Sequence, residues 1–282
     1  MMGFVYCGGI MDYKIIALDI DGTLVNSHKV ITEKTKNTLL NIQECGVKVA
    51  IASGRPYAGV KRYVDELELA RYGGYVISYN GGQLVRASDG KALFEKTFSD
   101  NLAHRLYDFS RKHKTGIMTY TKDGNLVVTE DNDDKYIVLE AGINGIPVKK
   151  LSSWKDYIDY PVLKCILTEE GDYLERLEHL LAEEFKGELN IFRSEPFFLE
   201  ALPLAVDKST ALKALTEVTD IKREEIIACG DGFNDITMVQ YAGLGVAMRN
   251  AQQSVKDAAD FITLSNDEDG IVNVINRFIL EK

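Results

Sequence analysis

Short apolar runs alternate along the chain with longer amphipathic segments, and this alternation restricts the fold more than any other feature of the sequence. Lys14 to Leu18 (KIIAL) and Val47 to Ala52 (VKVAIA) are too compact for helices and are typical of strands buried on both faces. Between them, Thr32 to Cys45 has a Thr cap, an apolar side and a following glycine, which predicts a helix. Strands that alternate with helices predict a parallel sheet with right-handed crossovers.

The same alternation continues after the second strand and returns near the end of the chain. It predicts two further helices, Tyr57 to Leu69 and Asp235 to Tyr241. The further strands are predicted at Tyr75 to Ser78, Ile226 to Cys229, Leu244 to Ala247 and Phe261 to Leu264.

The middle of the chain has a different pattern. The predicted order is a helix (102–112), two strands (116–120 and 125–129), a helix (134–141), a strand (163–168), a helix (173–185) and two strands (189–193 and 197–201). Strands joined by Asp123-Gly124, with helices between the others, indicate an antiparallel sheet backed by helices. We therefore expect a core domain of residues 11–85 and 203–282, an inserted α+β domain of residues 86–202, and an N-terminal extension at 1–10.

Composition excludes several classes of protein. The chain has 282 residues, with 33 basic and 43 acidic side chains, and it carries no stripe of Lys and Arg, which disfavours a nucleic-acid partner. No apolar run is long enough to span a bilayer. Four cysteines without metal-ligand spacing (Cys7, Cys45, Cys165 and Cys229) predict reduced core thiols. We expect a soluble, cytoplasmic protein that binds neither membranes nor nucleic acids.

Polar residues stand where the predicted parallel strands end. Ligands of open parallel sheets bind beyond the carboxyl ends of the strands, so these residues are candidates for one site. They are the segments Asp19-Ile20-Asp21-Gly22-Thr23, Ser53-Gly54-Arg55, Asn80-Gly81-Gly82 and Gly230-Asp231-Gly232-Phe233-Asn234-Asp235.

Asp19 and Asp21 can divide the work of phosphoryl transfer. Their spacing at a strand end directs both carboxylates to the same face, so one can attack phosphorus while the other shuttles protons. Because a carboxylate and a phosphate repel each other, the site needs a cation, and Mg²⁺ held by Asp19 and Asp231 with a backbone oxygen near Asp21 would meet that need. Lys208 could add a second positive charge.

Each segment alone also has a structural interpretation. Asp-Gly is a common turn dipeptide, Ser53 could cap a helix, Asn80-Gly81 could form a hairpin turn, and Lys208 could be a surface lysine. The segments occur together in this order, and each except Lys208 stands at the end of a predicted strand. This combination favours a phosphate and metal site over a chance occurrence.

At these residues the chain resembles the haloacid dehalogenase superfamily of phosphohydrolases. Its DxDGT motif stands as Asp19 to Thr23, its Ser or Thr motif as Ser53, its lysine motif as Lys208, and its GDGxND motif as Gly230 to Asp235. The resemblance covers nearly the whole chain from Met11 onward. The insertion is similar to the C2B cap of the Cof-type branch, subfamily IIB, which implies a Rossmann-like, doubly wound core with a cap that closes over the site.

The resemblance implies a role for each motif residue. Asp19 would be the nucleophile and a metal ligand, Asp21 the general acid and base and a ligand through its carbonyl, and Asp231 the third ligand. The phosphate would be held by Ile20, Ser53, Gly54, Lys208 and Asn234. Asp235 would orient Lys208 or a metal-bound water, and Thr23 and Asn80 would support the site. The family often has Gly beside the lysine, where this chain has Asp207 and Ser209.

The predicted function is a magnesium-dependent phosphatase for small phosphorylated metabolites, such as sugar phosphates or similar phosphomonoesters, that forms an aspartyl phosphate. The alternatives are a phosphomutase or phosphotransferase that uses the same intermediate, and a non-catalytic phosphate-binding protein. The last would be expected to have lost at least one of Asp19, Asp21, Lys208 or Asp231, and all four are present. The sequence determines neither the substrate nor the oligomeric state.

Overall fold

The computed structural model describes residues 12–132 and 134–280. The chain divides into two compact units, of which the first contains the residues up to 54, 61–94 and those from 207 onward, and the second contains 55–60 and 95–206. The predicted extension at 1–10, with Cys7, lies outside the described residues.

The first unit is built on an eight-stranded sheet. In sheet order its strands are β14 (Phe261–Ile262), β13 (Leu244–Ala247), β12 (Ile226–Gly230), β1 (Ile15–Asp19), β2 (Lys48–Ala52), β3 (Tyr75–Ser78), β4 (Gln83–Arg86) and β5 (Lys91–Glu95). The first six strands in this order are parallel, and β4 runs antiparallel to β3. Strands β3, β12 and β13 are buried at every residue, as expected for a parallel sheet covered on both faces.

Helices flank these strands. They are α1 (Glu33–Glu44), α2 (Tyr57–Glu66), α3 (Leu69–Tyr72), α8 (Lys208–Val218), α9 (Ile236–Tyr241), α10 (Gln253–Ala258) and α11 (Gly270–Ile275). Helix α1 begins as the sequence predicts, because the Thr32 hydroxyl accepts a hydrogen bond from the Thr35 N–H. The predicted helix from Tyr57 to Leu69 is wrong as a single element, because the left-handed backbone of Glu68 separates α2 from α3.

The second unit contains a six-stranded sheet. Its strands, in sheet order, are β10 (Leu189–Glu195), β11 (Phe198–Pro203), β9 (Cys165–Thr168), β6 (Gly116–Tyr120), β7 (Leu126–Thr129) and β8 (Val148–Leu151). All neighbours are antiparallel except β7 and β8. Its helices are α4 (Asp100–His113), α5 (Lys135–Asn144), α6 (Trp154–Tyr157) and α7 (Gly171–Glu184).

One face of this second sheet forms an apolar core with helices. Leu106 and Phe109 of α4 and Leu174 and Leu181 of α7 pack there, and Trp154 lies stacked on a tyrosine ring. The predicted antiparallel sheet backed by helices is therefore confirmed.

Three strands of the structure were not predicted from the sequence. Strands β4 and β5 continue the sheet of the first unit to Phe94, and β8 pairs in parallel with β7. The compact units divide at 94/95 and 206/207, whereas the predicted domains divide at 85/86 and 202/203. Strand β8 is mostly exposed and contains two lysines, so it lacks the apolar pattern from which strands are predicted.

The cysteine prediction holds in part. Cys165 and Cys229 are buried free thiols, and burial raises the pKa of the Cys165 thiol to about 12. Cys45 is only partly buried at the end of α1, so the prediction of a core position is wrong there. Within the described residues, no helix is both long and apolar enough to cross a membrane. The cytoplasmic location stays a prediction.

Candidate active site

The sheet order of the first unit brings the motif loops together. Strands β12, β1, β2 and β3 are consecutive neighbours, and they are in register near their carboxyl ends, where Leu18 pairs with Cys229 and Asp19 pairs with Ala52. The loops that leave these four strands therefore meet at one edge of the sheet. These strand ends and loops contain all the predicted site residues except Lys208.

The loop after β1 folds back on itself at once. The Leu24 N–H donates to the Asp19 carbonyl at 3.1 Å, and the Val25 N–H donates to the Ile20 carbonyl at 3.0 Å. The Ile20 side chain is buried, so any phosphate contact of Ile20 would use its main chain. The Thr23 hydroxyl donates to Asp231 Oδ1 at 2.8 Å, which links this loop to the loop after β12.

Gly22 is required at the tightest point of this loop. Its φ of +85° lies in the region that favours glycine, and a Cβ atom there would stand 2.3 Å from Asp231 Oδ2. The close approach of the backbone therefore fixes where the Asp231 carboxylate lies.

We expect Gly22→Ala to lower the rate of phosphate release by about a hundredfold, because the new methyl group would displace Asp231. Gly46→Ala is a matched control: Gly46 has a φ of +92° but nothing within 4 Å of its added Cβ. Urea unfolding should show a loss of about 1–3 kcal/mol for both variants from backbone strain, and only Gly22→Ala should lose activity. Equal activities of the two variants would contradict the role assigned to Gly22.

Lys208 enters the site from the start of α8. Its Nζ lies 2.5 Å from Asp19 Oδ1 and 2.5 Å from Asp235 Oδ1, and the side chain is fully buried. Asp207 caps the helix by accepting the Thr210 N–H at 3.0 Å and the Ser209 hydroxyl at 2.6 Å. The two residues that depart from the family pattern thus supply a helix cap and its hydrogen-bond partner.

Gly81 allows this helix start to approach the loop after β3. Its φ is +97°, and an added Cβ would lie 1.8 Å from the Asp207 carbonyl oxygen. The close packing of these two backbones holds Lys208 beside Asp19.

Asp235 is the second partner of Lys208. Its Oδ1 accepts the lysine ammonium, and its Oδ2 accepts the backbone N–H groups of Asp231 and Gly232, both at 2.9 Å. Both carboxylate oxygens are thereby engaged. The geometry suits an orienting residue.

Asn80 connects the remaining predicted residues. Its backbone N–H donates to the Ser53 carbonyl at 3.0 Å, and its side-chain oxygen accepts the Asn234 amide at 3.1 Å. An added Cβ on Gly54 would lie 3.0 Å from that same oxygen. Ser53, Gly54, Asn80 and Asn234 therefore form one contiguous group at this edge of the sheet.

The carboxylates carry shifted pKa values. Burial, together with the charge of Asp235, raises the pKa of Asp19 to about 8 against the opposing effect of Lys208. Burial likewise raises the pKa of Asp231 to about 6. For Lys208, burial alone would lower the pKa, but the charges of Asp19 and Asp235 outweigh it and keep the pKa above its usual value.

This arrangement suits a hard divalent cation. Carboxylate oxygens of Asp19, Asp231 and Asp235 lie within 4.8 Å of one another, and Lys208 contacts two of these three acids. Oxygen ligands with surplus negative charge are what Mg²⁺ prefers. Since Lys208 and two N–H groups engage Asp235, Asp19 and Asp231 are the side chains that fit as ligands.

The shifted pKa values predict how stability depends on pH. Asp19 and Asp231 both have folded pKa values above the ordinary 3.8, so the folded state binds their protons more tightly than the unfolded state does. The folded state must then lose stability as the pH rises. We expect the melting temperature of the metal-free protein to fall between about pH 4 and pH 8 through these two groups.

Magnesium should oppose that loss, because the cation takes the place of the protons. Melting temperatures measured in a chelator and in Mg²⁺ should therefore diverge as the pH rises. A difference between the two melting temperatures that shrinks as the pH rises would contradict the ligand assignment. A metal-free protein that gains stability with rising pH would also contradict it.

Two site residues escaped the sequence analysis. The Asn250 amide donates to the Gly22 carbonyl at 2.8 Å, and Lys29 Nζ lies 2.8 Å from Asp21 Oδ1. Asn250 follows the end of β13, and inspection of that strand end could have found it. Lys29 lies in a loop without any motif, and only the folded backbone brings it to Asp21.

Comparisons with known proteins agree with this geometry. The family model of haloacid dehalogenase-like hydrolases matches residues 16–275. The 5-amino-6-(5-phospho-D-ribitylamino)uracil phosphatase YcsE of Bacillus subtilis (strain 168) is 30% identical over 272 residues, which cover 96% of this chain and 97% of that protein.

Solved structures share the fold. The crystal structure of a haloacid dehalogenase-like hydrolase from Bacteroides thetaiotaomicron has a TM-score of 0.88 at 40% identity and covers 94% of this chain and 99% of its own. A HAD subclass IIB sugar phosphatase has a TM-score of 0.76 at 24% identity, covering 94% and 98%. These likenesses confirm the Rossmann-like fold with a cap. The chain thus belongs to the haloacid dehalogenase-like hydrolases, and it is a phosphatase.

Proposed function

We propose that the protein hydrolyses small phosphomonoesters with Asp19 as the nucleophile, through an aspartyl-phosphate intermediate and with Mg²⁺ as cofactor. The contact between Asp19 Oδ1 and the buried Lys208 ammonium, at 2.5 Å, is the observation that carries the proposal. A buried lysine beside a carboxylate supplies the positive charge that a phosphate needs to approach it.

The two steps follow from the chemistry of the two acids. Asp19 attacks phosphorus, the bond from phosphorus to the ester oxygen breaks, and Asp21 gives its proton to that oxygen. Water then attacks the aspartyl phosphate, Asp21 accepts the water proton, and the Asp19 carboxylate and inorganic phosphate are released. Asp21 suits the proton transfers because its side chain is about two-fifths exposed, which leaves it accessible to a leaving group.

Other residues would hold the phosphate during both steps. Lys208, the Ser53 hydroxyl, the Gly54 N–H and the Asn234 amide are the donors in this role, with Ile20 contributing its main chain. Asp19 and Asp231, with the carbonyl of Asp21, would hold Mg²⁺. When bound, the cation offsets the repulsion between the nucleophile and the phosphate and polarises the phosphoryl group.

The name of one relative supports a substrate class. YcsE is named for a phosphorylated ribityl compound, that is, a polyol phosphate. The donors described above would all bind the phosphate group, which every phosphomonoester has. We propose phosphorylated sugars and polyols as substrates.

A panel of phosphate esters tests this function. Inorganic phosphate should be released from sugar and polyol phosphates when Mg²⁺ is present and not when a chelator replaces it. Chromatography of the products should show the free alcohol. An isomeric sugar phosphate in place of free phosphate would identify a mutase, and binding without turnover would identify a phosphate-binding protein.

The absence of a nucleic-acid partner stays a prediction. The panel gives the first measurement of selectivity. A ranking that spreads over more than about a hundredfold in kcat/KM would show that contacts beyond the phosphate exist.

A further inference from the structure

The loop after β1 is followed by a closed turn, Asn26 to Val30, which we call the 26–30 turn. The Asn26 N–H donates to the Val30 carbonyl at 3.0 Å, and the Lys29 N–H donates to the Asn26 carbonyl at 2.9 Å. The Asn26 side-chain oxygen also accepts the N–H groups of His28 and Val30. This exposed turn is therefore ordered by its own hydrogen bonds.

Two residues from the far end of the same unit anchor the 26–30 turn. Asp267 Oδ1 accepts the Ser27 N–H at 2.8 Å, and the Asn266 amide donates to the Val25 carbonyl at 2.9 Å. These contacts join segments more than 200 residues apart in sequence. The position of the turn is thus fixed independently of any contact that Lys29 makes.

Lys29 has an unusual backbone within this turn. Its φ is +60°, in the left-handed region that residues other than glycine rarely adopt. The strained backbone directs the side chain toward the loop after β1, where Lys29 Nζ lies 2.8 Å from Asp21 Oδ1.

We propose that Lys29 is a positioning residue that holds the Asp21 carboxylate in the orientation from which it exchanges protons with the leaving oxygen and with water. The ammonium fixes one oxygen of Asp21 and thereby the direction of the other. Because the 26–30 turn already holds the backbone of Lys29, the Lys29–Asp21 pair loses less conformational freedom on forming than an ordinary exposed ion pair does. This inference rests on the proposed function of Asp21.

The kinetics of Lys29 variants test the inference. With a sugar or polyol phosphate, Lys29→Ala should lower kcat about three- to fivefold and leave KM unchanged, since an exposed pair is worth at most about a fivefold effect. Lys29→Arg should restore most of the rate. Lys34→Ala is the matched control, because Lys34 is similarly exposed and its Nζ lies 3.6 Å from the Asp269 carboxylate, and it should keep the wild-type rate.

Two further arms separate positioning from a general structural effect. With p-nitrophenyl phosphate, whose leaving group needs little protonation, the loss in Lys29→Ala should be smaller than with the polyol ester. In an Asp21→Asn background, Lys29→Ala should cause no additional loss, because the residue acts through Asp21.

Opposite outcomes overturn the inference. An active wild type whose kcat is insensitive to Lys29→Ala, a loss of equal size in the Asp21→Asn background, or a rise in KM alone would each do so while leaving the proposed function intact. A folded wild type that hydrolyses no ester, even with Mg²⁺, would remove the proposed function and this inference with it.

Discussion

Asp19→Asn is expected to abolish magnesium-dependent phosphate release, with a loss in kcat of at least about 10⁴-fold, the scale seen when an enzyme loses the residue that forms its covalent intermediate. The amide is nearly the same size as the carboxylate and can still contact Lys208, but it cannot attack phosphorus. The measurement is the initial rate of phosphate release at saturating ester.

Asp65→Asn is a suitable control for the lost charge, because Asp65 is an exposed acid paired with Lys61. This variant should keep the wild-type rate. Circular dichroism should show that the Asp19→Asn protein is folded, since the substitution reduces the number of carboxylates that share Lys208. An Asp19→Asn protein that retains a tenth of the wild-type rate would contradict the assignment of the nucleophile.

Lys208→Met is expected to reduce both stability and activity. Methionine fills a similar volume but carries no charge. The carboxylates of Asp19 and Asp235 would therefore lie buried beside each other without a counter-charge. Breaking a buried ion pair from one side costs about 3–5 kcal/mol, and loss of the positive charge should lower kcat about 10²- to 10³-fold. Urea unfolding of the metal-free protein and phosphate-release kinetics measure the two effects.

Lys213→Met tests whether any lysine of α8 would have the same effect. Lys213 lies on the exposed side of this helix, over the Tyr241 ring, so its replacement should change stability and rate little. The destabilisation of Lys208→Met should shrink at low pH, because Asp19, whose pKa is raised by burial, can then take up a proton in place of the lysine charge. A Lys208→Met protein as stable as the wild type at neutral pH would contradict the claim that Lys208 stabilises the fold by pairing with Asp19 and Asp235.

The sequence predicted the core sheet well because its strands are buried on both faces. Strands β3 and β13 were predicted with the observed bounds, and β1 and β2 to within a residue. Continuous apolar runs of four or five residues have few other uses in a chain of ordinary composition. Strands β4, β5 and β8 were missed because they are partly exposed and carry charged residues, so they lack that signal.

The site was predictable to the extent that it is built from strand ends. The order of the motifs placed Asp19, Ser53, Asn80 and Asp231 at the ends of neighbouring parallel strands, where the structure has them. Contacts that depend on loop conformation were not predictable. Examples are the approach of Gly81 to the Asp207 carbonyl and the turn that brings Lys29 to Asp21, because each depends on a positive φ that the residue types alone do not specify.

The central claim is that phosphate passes through a covalent bond to Asp19. A single turnover with phosphate-labelled ester, quenched in acid and followed by mass spectrometry of the peptides, tests it most directly. Asp21→Asn is the protein to use with p-nitrophenyl phosphate, because that leaving group tolerates the loss of the acid while hydrolysis of the intermediate slows. We predict a phosphorylated peptide whose modified residue is Asp19 and whose label is absent from Asp19→Asn; turnover of the ester with no labelled peptide, or a label on another residue, would contradict the mechanism.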